Sequence, residues 1–211
     1  MKESPAFAFQ IAPVSDDGDA SDASMYATAL EDARLGHSLG LSTGWIIEHH
    51  FTDYYPTPNP LMMLSHVAAA CPGLGLGTSV MVLPWYHPLR FAEDIAMLQT
   101  MATGDLHIGI GRGTAKLEYD AFQVDMTEAR ERFEESWAIV RTALEGQSFK
   151  YSGRTPTGDA SRGRSHQPFQ AVSGDSIPME DTLTQDTDIY NRRSVRLVTV
   201  PSRLGPSELR H

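Results

Sequence analysis

The chain has 211 residues, enough for one domain or slightly more, and 41% of them are apolar, an ordinary share for a globular protein. The formal net charge of −10 disfavours nucleic acid and anionic membranes as partners. No stretch approaches the roughly 20 apolar residues of a membrane span, and the short apolar run over 6–14, acidic just downstream, does not suit a secretory signal.

A single cysteine, Cys71, rules out an internal disulfide and fits a reducing cytoplasm. It stands before Pro72-Gly73 at the end of a helical pattern, where a buried small hydrophobe is favoured over a nucleophile. The net charge lies entirely in 1–154, because 155–211 carries seven Arg and seven Asp or Glu. That second part is rich in Ser, Thr, Arg, Pro and Asp and poor in Leu, Ile and Phe. Such a composition buries too little apolar area to offset chain entropy. The expected organisation is therefore a domain over 1–154 and an irregular or disordered tail over 155–211.

Residues 7–14 form the first candidate strand, and Asp16-Asp17-Gly18-Asp19 reads as a turn. Tyr26, Leu30, Ala33 and His37 then recur at helical spacing, with Gly40 placed to end that helix. A second strand is expected over 43–48. A Pro/Asn/Tyr loop runs over 53–60. In it Asn59-Pro60 reads as an N-cap with proline in the first turn of a helix through Ala70. A third strand covers 74–83, closed by Pro84, and His87-Pro88 opens a helix through Met101 with Phe91, Ile95 and Leu98 on its core face.

The fourth strand covers 106–111 and runs into the turn Gly111-Arg112-Gly113-Thr114. A long loop leads to a helix over 127–144, with the core stripe Phe133, Trp137, Val140 and Leu144 and Gly146 as its stop. Residues 149–153 read as a short extended piece. In the tail, Val195, Leu197 and Val198 mark one short candidate strand, while Ile177-Pro178 and Thr199-Val200-Pro201 read as turns or coil. Strand followed by helix, four times over, predicts a parallel sheet with right-handed crossovers. The fold class is α/β of the TIM-barrel type, truncated to about four β/α units, with the first and fourth strands expected as open edges.

Trp45-Ile46-Ile47-Glu48-His49-His50-Phe51 is an apolar run ending in one carboxylate and two imidazoles. Titratable residues at the C-terminal end of a buried parallel strand are where an α/β barrel keeps its chemistry. In a regular strand His49 points opposite to Glu48 and His50, which then orient or seal the site through hydrogen bonds. A rival reading joins Glu48 and His50 to one of His66, His87 or His107 as a metal site. No His-x-His or His-Glu-x-x-His spacing supports it, and no metal is expected. By itself the turn around Arg112 reads equally as a solvated turn or as a phosphate site, where a guanidinium fork grips the dianion and flanking glycines let backbone N–H groups approach it.

Four segments together resemble the bacterial luciferase-like flavin monooxygenases: 45–51 above, Gly77-Thr78-Ser79-Val80-Met81-Val82-Leu83-Pro84, His87-Pro88-Leu89-Arg90-Phe91-Ala92-Glu93-Asp94, and Gly109-Ile110-Gly111-Arg112-Gly113. Each alone is weak, but their order and spacing also match, over about 5–154. The resemblance implies a TIM barrel that uses reduced FMN, with F420 the less favoured cofactor, and O₂ to oxidise a small organic substrate. It implies His49 as the catalytic histidine near the reactive edge of the flavin, supported by Glu48 and His50. It implies a non-proline cis peptide at Ser79-Val80 beneath the flavin ring, Arg112 at the flavin phosphate, and a backbone contact from Thr114. A separate flavin reductase is the implied partner, since no nicotinamide fingerprint is visible. The alternative is a non-catalytic half barrel that pairs with itself or with a full-length homologue.

Overall fold

The computed structural model describes residues 6–14, 20–53, 55–145 and 195–199. Five parallel strands form one sheet in the order β1 to β5: β1 (Ala8–Gln10), β2 (Thr43–Ile46), β3 (Gly75–Val82), β4 (Leu106–Gly111) and β5 (Val195–Thr199). Between them run α1 (Asp22–Ser38), α2 (Pro60–Ala70) and α3 (Pro88–Met101), while α4 (Lys116–Ala121) and α5 (Ala129–Leu144) follow β4. Parallel neighbours require crossover connections, and here helices supply them between the first four strands. The expected turn at Asp16–Asp19, the stop at Gly146, the extended piece at 149–153 and the coil at Ile177-Pro178 lie outside the described residues.

Local chemistry fixes several boundaries. Asn59 Oδ1 accepts the Met62 N–H at 3.0 Å, and Pro60 occupies the first helical position of α2, as its sequence predicts. Ser21 caps α1 through the Ser24 N–H at 3.3 Å, and Gly40 turns the chain out of that helix at φ +79°. The expected core face of α3 is observed, with Phe91, Ile95 and Leu98 all buried. The buried face of α5 is Ala129, Ser136, Ile139 and Val140, and Phe133, Trp137 and Leu144 pack half-buried beside it. The face of α1 differs from expectation: Met25, Ala29, Leu30, Ala33 and Gly36 are buried, while Tyr26 is only half-buried and His37 is exposed. The Phe9 ring of β1 selects that face, because it occupies the place of a side chain at Gly36, where a Cβ would sit 2.5 Å from Phe9 Cζ.

Register divides the sheet into two faces. Phe9, Gly44, Leu76 and Leu106 are directly paired and lie toward the helices. The next row, Gln10, Trp45, Gly77 and His107, lies on the opposite face. There Gly77 makes room for the Trp45 indole, which reaches His107 with ring centroids 5.6 Å apart.

The expectation of an open edge at the fourth strand is corrected. β4 pairs with β5 from Leu106↔Val195 to Ile110↔Thr199. The short strand marked by Val195, Leu197 and Val198 is therefore present within the tail expected to be irregular. Average composition argues against order in that tail, yet five residues suffice to pair with an existing edge. β1 is the other edge, with one described neighbour, β2.

Candidate functional site

Residues that leave the C-terminal ends of β2, β3 and β4 meet in one place. β2 stops at Ile46, so Glu48, His49 and His50 lie just past the strand and not within it. β3 is irregular between Thr78 and Met81, where it spends one more residue than β4, and the Ser79–Val80 peptide bond there is cis. Bulges of this kind re-aim side chains next to sites. Beyond β4, Gly113 adopts φ +72° and passes so close to Val82 that a Cβ would lie 2.6 Å from its Cγ1. That turn brings Thr114 and α4 over the strand ends.

The residues enclose a cavity of about 240 Å³ lined by Ile47, Glu48, His49, Ser79, Val80, Val82, Gly113, Thr114, Ala115 and Glu118. A second cavity of about 450 Å³ lies against Ala8, Phe9, Gln10 and Trp45 and shares Ile47 and Ser79 with the first. Of the residues expected from sequence, His49, Glu48, Ser79, Val80 and Thr114 line the first cavity, whereas His50 and Arg112 line neither.

The two imidazoles have different surroundings. His49 has 36% of its side chain exposed, and its Nδ1 lies 3.1 Å from Glu118 Oε1. The same oxygen accepts the His50 main-chain N–H at 2.8 Å. The His50 ring is 10% exposed and is held edge-on by Trp85 and Phe122, with centroids at 5.3 and 4.8 Å. Its Nε2 lies 2.8 Å from Glu48 Oε1. Buried Glu48 also accepts the Tyr86 hydroxyl on Oε1 and the Val82 N–H on Oε2, each at 2.8 Å. This carboxylate thus ties the end of β2 to the end of β3. Burial, then the Glu48 charge, pushes Tyr86 far above the ordinary phenol range, so it stays a donor.

Arg112 is half-buried on the turn after β4, and its carbonyl accepts the hydroxyl of fully buried Tyr119. Burial pushes Tyr119 up to about 12, against the pull of the Arg112 and Arg132 charges. Cys71 is buried and burial pushes its thiol up, as befits a packed hydrophobe. Among the described residues no group of three His, Cys, Asp or Glu side chains converges on one point, and no helix is long and apolar enough to cross a membrane.

Sequence reasoning missed Glu118, Tyr86 and Tyr119. Glu118 is only 3% exposed yet sits in Lys116-Leu117-Glu118-Tyr119-Asp120, a run that by composition belongs to a helix surface. Only its distance of five residues beyond the glycine turn could have pointed to it.

Residues 8–178 match the family described as luciferase-like monooxygenase. The chain belongs to that family. The family is one of flavin-dependent monooxygenases. The chain is 39% identical over 134 residues to the uncharacterised protein y4vJ of Sinorhizobium fredii, covering 64% of this chain and 38% of that one. It is 36% identical over 109 residues to the alkanal monooxygenase alpha chain of the Kryptophanaron alfredi symbiont, covering 52% and 30%. Among solved structures it resembles the monooxygenase RslO1 of Streptomyces bottropensis, at 28% identity and a TM-score of 0.67 over 72% of this chain and 46% of that one. The first of its curated relatives are matched over about two fifths of their own length. The parallel α/β sheet is that of the luciferase-like barrel proteins.

Proposed function

We propose that this chain carries the flavin-binding and acid/base half of a luciferase-like monooxygenase that uses O₂ to oxidise a small organic substrate. The observation that carries the reading is a half-exposed histidine, His49, on a cavity at the C-terminal ends of three parallel strands in a member of this family. The residues present fit a flavin. The two cavities share a wall at Ile47 and Ser79, and together they fall in the roughly 300–1,000 Å³ range of small-molecule sites. FMN is favoured over F420 because Arg112 and its glycine neighbours suit a terminal phosphate dianion.

Reduced flavin, when bound, supplies the electrons that activate O₂. In this reading the protein holds the flavin ring at Ser79 and Val80, the phosphate at Arg112, and the chain between them at Thr114. His49 exchanges a proton with bound flavin or substrate, an effect worth about 10²–10⁴ in rate. Glu48 and His50 support it by tying the strand ends together and closing the aromatic side against water. The functional unit is 1–154, with β5 added along its edge. A flavin reductase supplies the reduced cofactor, and the buried single thiol suits a reducing cytoplasm.

The test is anaerobic titration of the purified chain with FMN and FMNH₂, followed by O₂ consumption in His49→Ala. Saturable micromolar binding and a loss of flavin-dependent turnover of at least about 10²-fold are expected. Equal turnover in variant and wild type removes His49 from the mechanism. A second reading, association with itself or a homologue, is favoured by the sheet of the described residues, in which β1 and β5 are the outer strands. Size-exclusion chromatography showing a flavin-free monomer overturns it.

A further inference from the structure

Each of the two adjacent imidazoles meets a buried carboxylate, and because an ionised carboxylate only accepts, the nitrogen that faces it is the one that carries the proton. Glu118 Oε1 takes the main-chain N–H of His50, a group that can only donate. An ionised carboxylate only accepts, so toward His49 Nδ1, 3.1 Å away, that oxygen is an acceptor as well, and Nδ1 brings the hydrogen. Glu48 is occupied in the same way. Its Oε2 takes the Val82 N–H and its Oε1 takes the Tyr86 hydroxyl, so His50 Nε2, 2.8 Å from Oε1, must also be the donor.

We propose that His49 and His50 are held as opposite tautomers, His49 protonated on Nδ1 and His50 on Nε2, and that Glu118 is the positioning residue that leaves His49 Nε2 as a bare acceptor. His50 is then a strut: its proton is committed to Glu48, and its ring is wedged between Trp85 and Phe122. His49 is the reactive member. Its Nε2 makes no hydrogen bond among the described residues, and in the neutral ring it can take a proton but not give one. The consequence for chemistry rests on the proposed monooxygenase reading and gives it a direction. His49 enters the cycle as the base, abstracts a proton at Nε2, and returns it afterwards from the imidazolium.

The experiment is multiple-bond ¹H–¹⁵N correlation on the ¹⁵N-histidine-labelled chain at mildly alkaline pH. His49 and His50 are assigned by the signals lost in His49→Gln and His50→Gln. The native chain is expected to show the Nδ1–H pattern for His49 and the Nε2–H pattern for His50. A native His49 on Nε2, or averaged between the two, overturns the proposal without any further variant. In Glu118→Ala the His49 pattern is expected to average while that of His50 stays. Glu118→Gln, whose amide oxygen can accept both bonds, restores the native pattern. An unchanged His49 pattern in a folded Glu118→Ala removes Glu118 from the role. Should that variant not fold, the native spectrum still decides. Turnover of His49→Ala is read separately: tautomers as proposed with turnover untouched sink the monooxygenase role of His49 and leave the positioning intact.

Discussion

At the scale of single residues, Arg112 and Tyr119 form one device. The Tyr119 hydroxyl holds the Arg112 carbonyl and so pins the turn that presents the guanidinium. If that guanidinium meets a flavin phosphate, Arg112→Ala removes about 1.5–3 kcal/mol of charge-assisted bonding. That loss is roughly a 10- to 150-fold rise in the Kd for FMN. Riboflavin has the same ring and no phosphate, and its affinity is expected to stay put. Parallel losses for both ligands, measured by fluorescence quenching, detach Arg112 from the phosphate. Tyr119 makes a separate prediction about stability. Its folded pKa is raised from 10.0 to about 12, so below pH 10 the hydroxyl is protonated in both folded and unfolded chains and its contribution is fully present. Between pH 10 and 12 the unfolded chain loses the proton first, and stability drains away as pH rises. Tyr86 and Tyr26, also raised, act in the same direction. Urea melts of Tyr119→Phe are therefore expected to show a shallower fall across that window, and an unchanged slope refutes the assignment. The residues of this site divide by how sequence reveals them. Glu48, His49 and His50 were legible because they break an apolar strand. Glu118 and Tyr86 were not, because each acts across 38 residues or more on a partner that no local pattern names.

At the scale of elements, legibility followed length and capping. The bounds of α2, α3 and β4 match the sequence expectation because Asn59-Pro60, His87-Pro88 and the glycine turn at 111–113 punctuate them. α4 reads as loop from sequence, since six residues are too few to display a helical period. α1 is legible as a helix, but its buried face differs from the one its periodicity predicts. Periodicity favours large apolar residues, whereas the packing there is decided by a missing side chain at Gly36. This gives a test with competing magnitudes. Gly→Ala inside a helix ordinarily stabilises by about 1 kcal/mol. Here the new Cβ would meet the Phe9 ring at 2.5 to 2.8 Å, and a shift of that ring would also disturb its packing over Gly44. Overpacking of this kind costs about 1–3 kcal/mol. Gly36→Ala is therefore expected to be net destabilising in chemical denaturation, and Phe9→Leu in the same chain to recover much of the loss. A stabilised Gly36→Ala shows that the ring yields and that α1 is not held by this contact.

For the whole molecule, what matters is how a linear parallel sheet manages its edges. Parallel sheets bury both faces in closed or doubly covered folds, and among the described residues the strands run in one line from β1 to β5. The site depends on the ends of β2, β3 and β4, all interior strands once β5 is in place. β5 therefore does for β4 what the next strand of a barrel would do: it satisfies the backbone of the strand whose end carries Arg112. Successive N–H groups of a strand point to opposite sides, so proline at both Leu197 and Val198 removes one N–H that faces β4, whichever of the two it is. The double substitution Leu197→Pro/Val198→Pro is accordingly expected to free the edge of β4 and to convert the chain into concentration-dependent associations on size-exclusion chromatography. FMN affinity should fall in parallel, because the turn at 111–113 loses the strand that steadies it. An elution profile and flavin affinity equal to those of the wild type mean that β4 keeps its order without β5. The site then rests on β2, β3 and β4 alone.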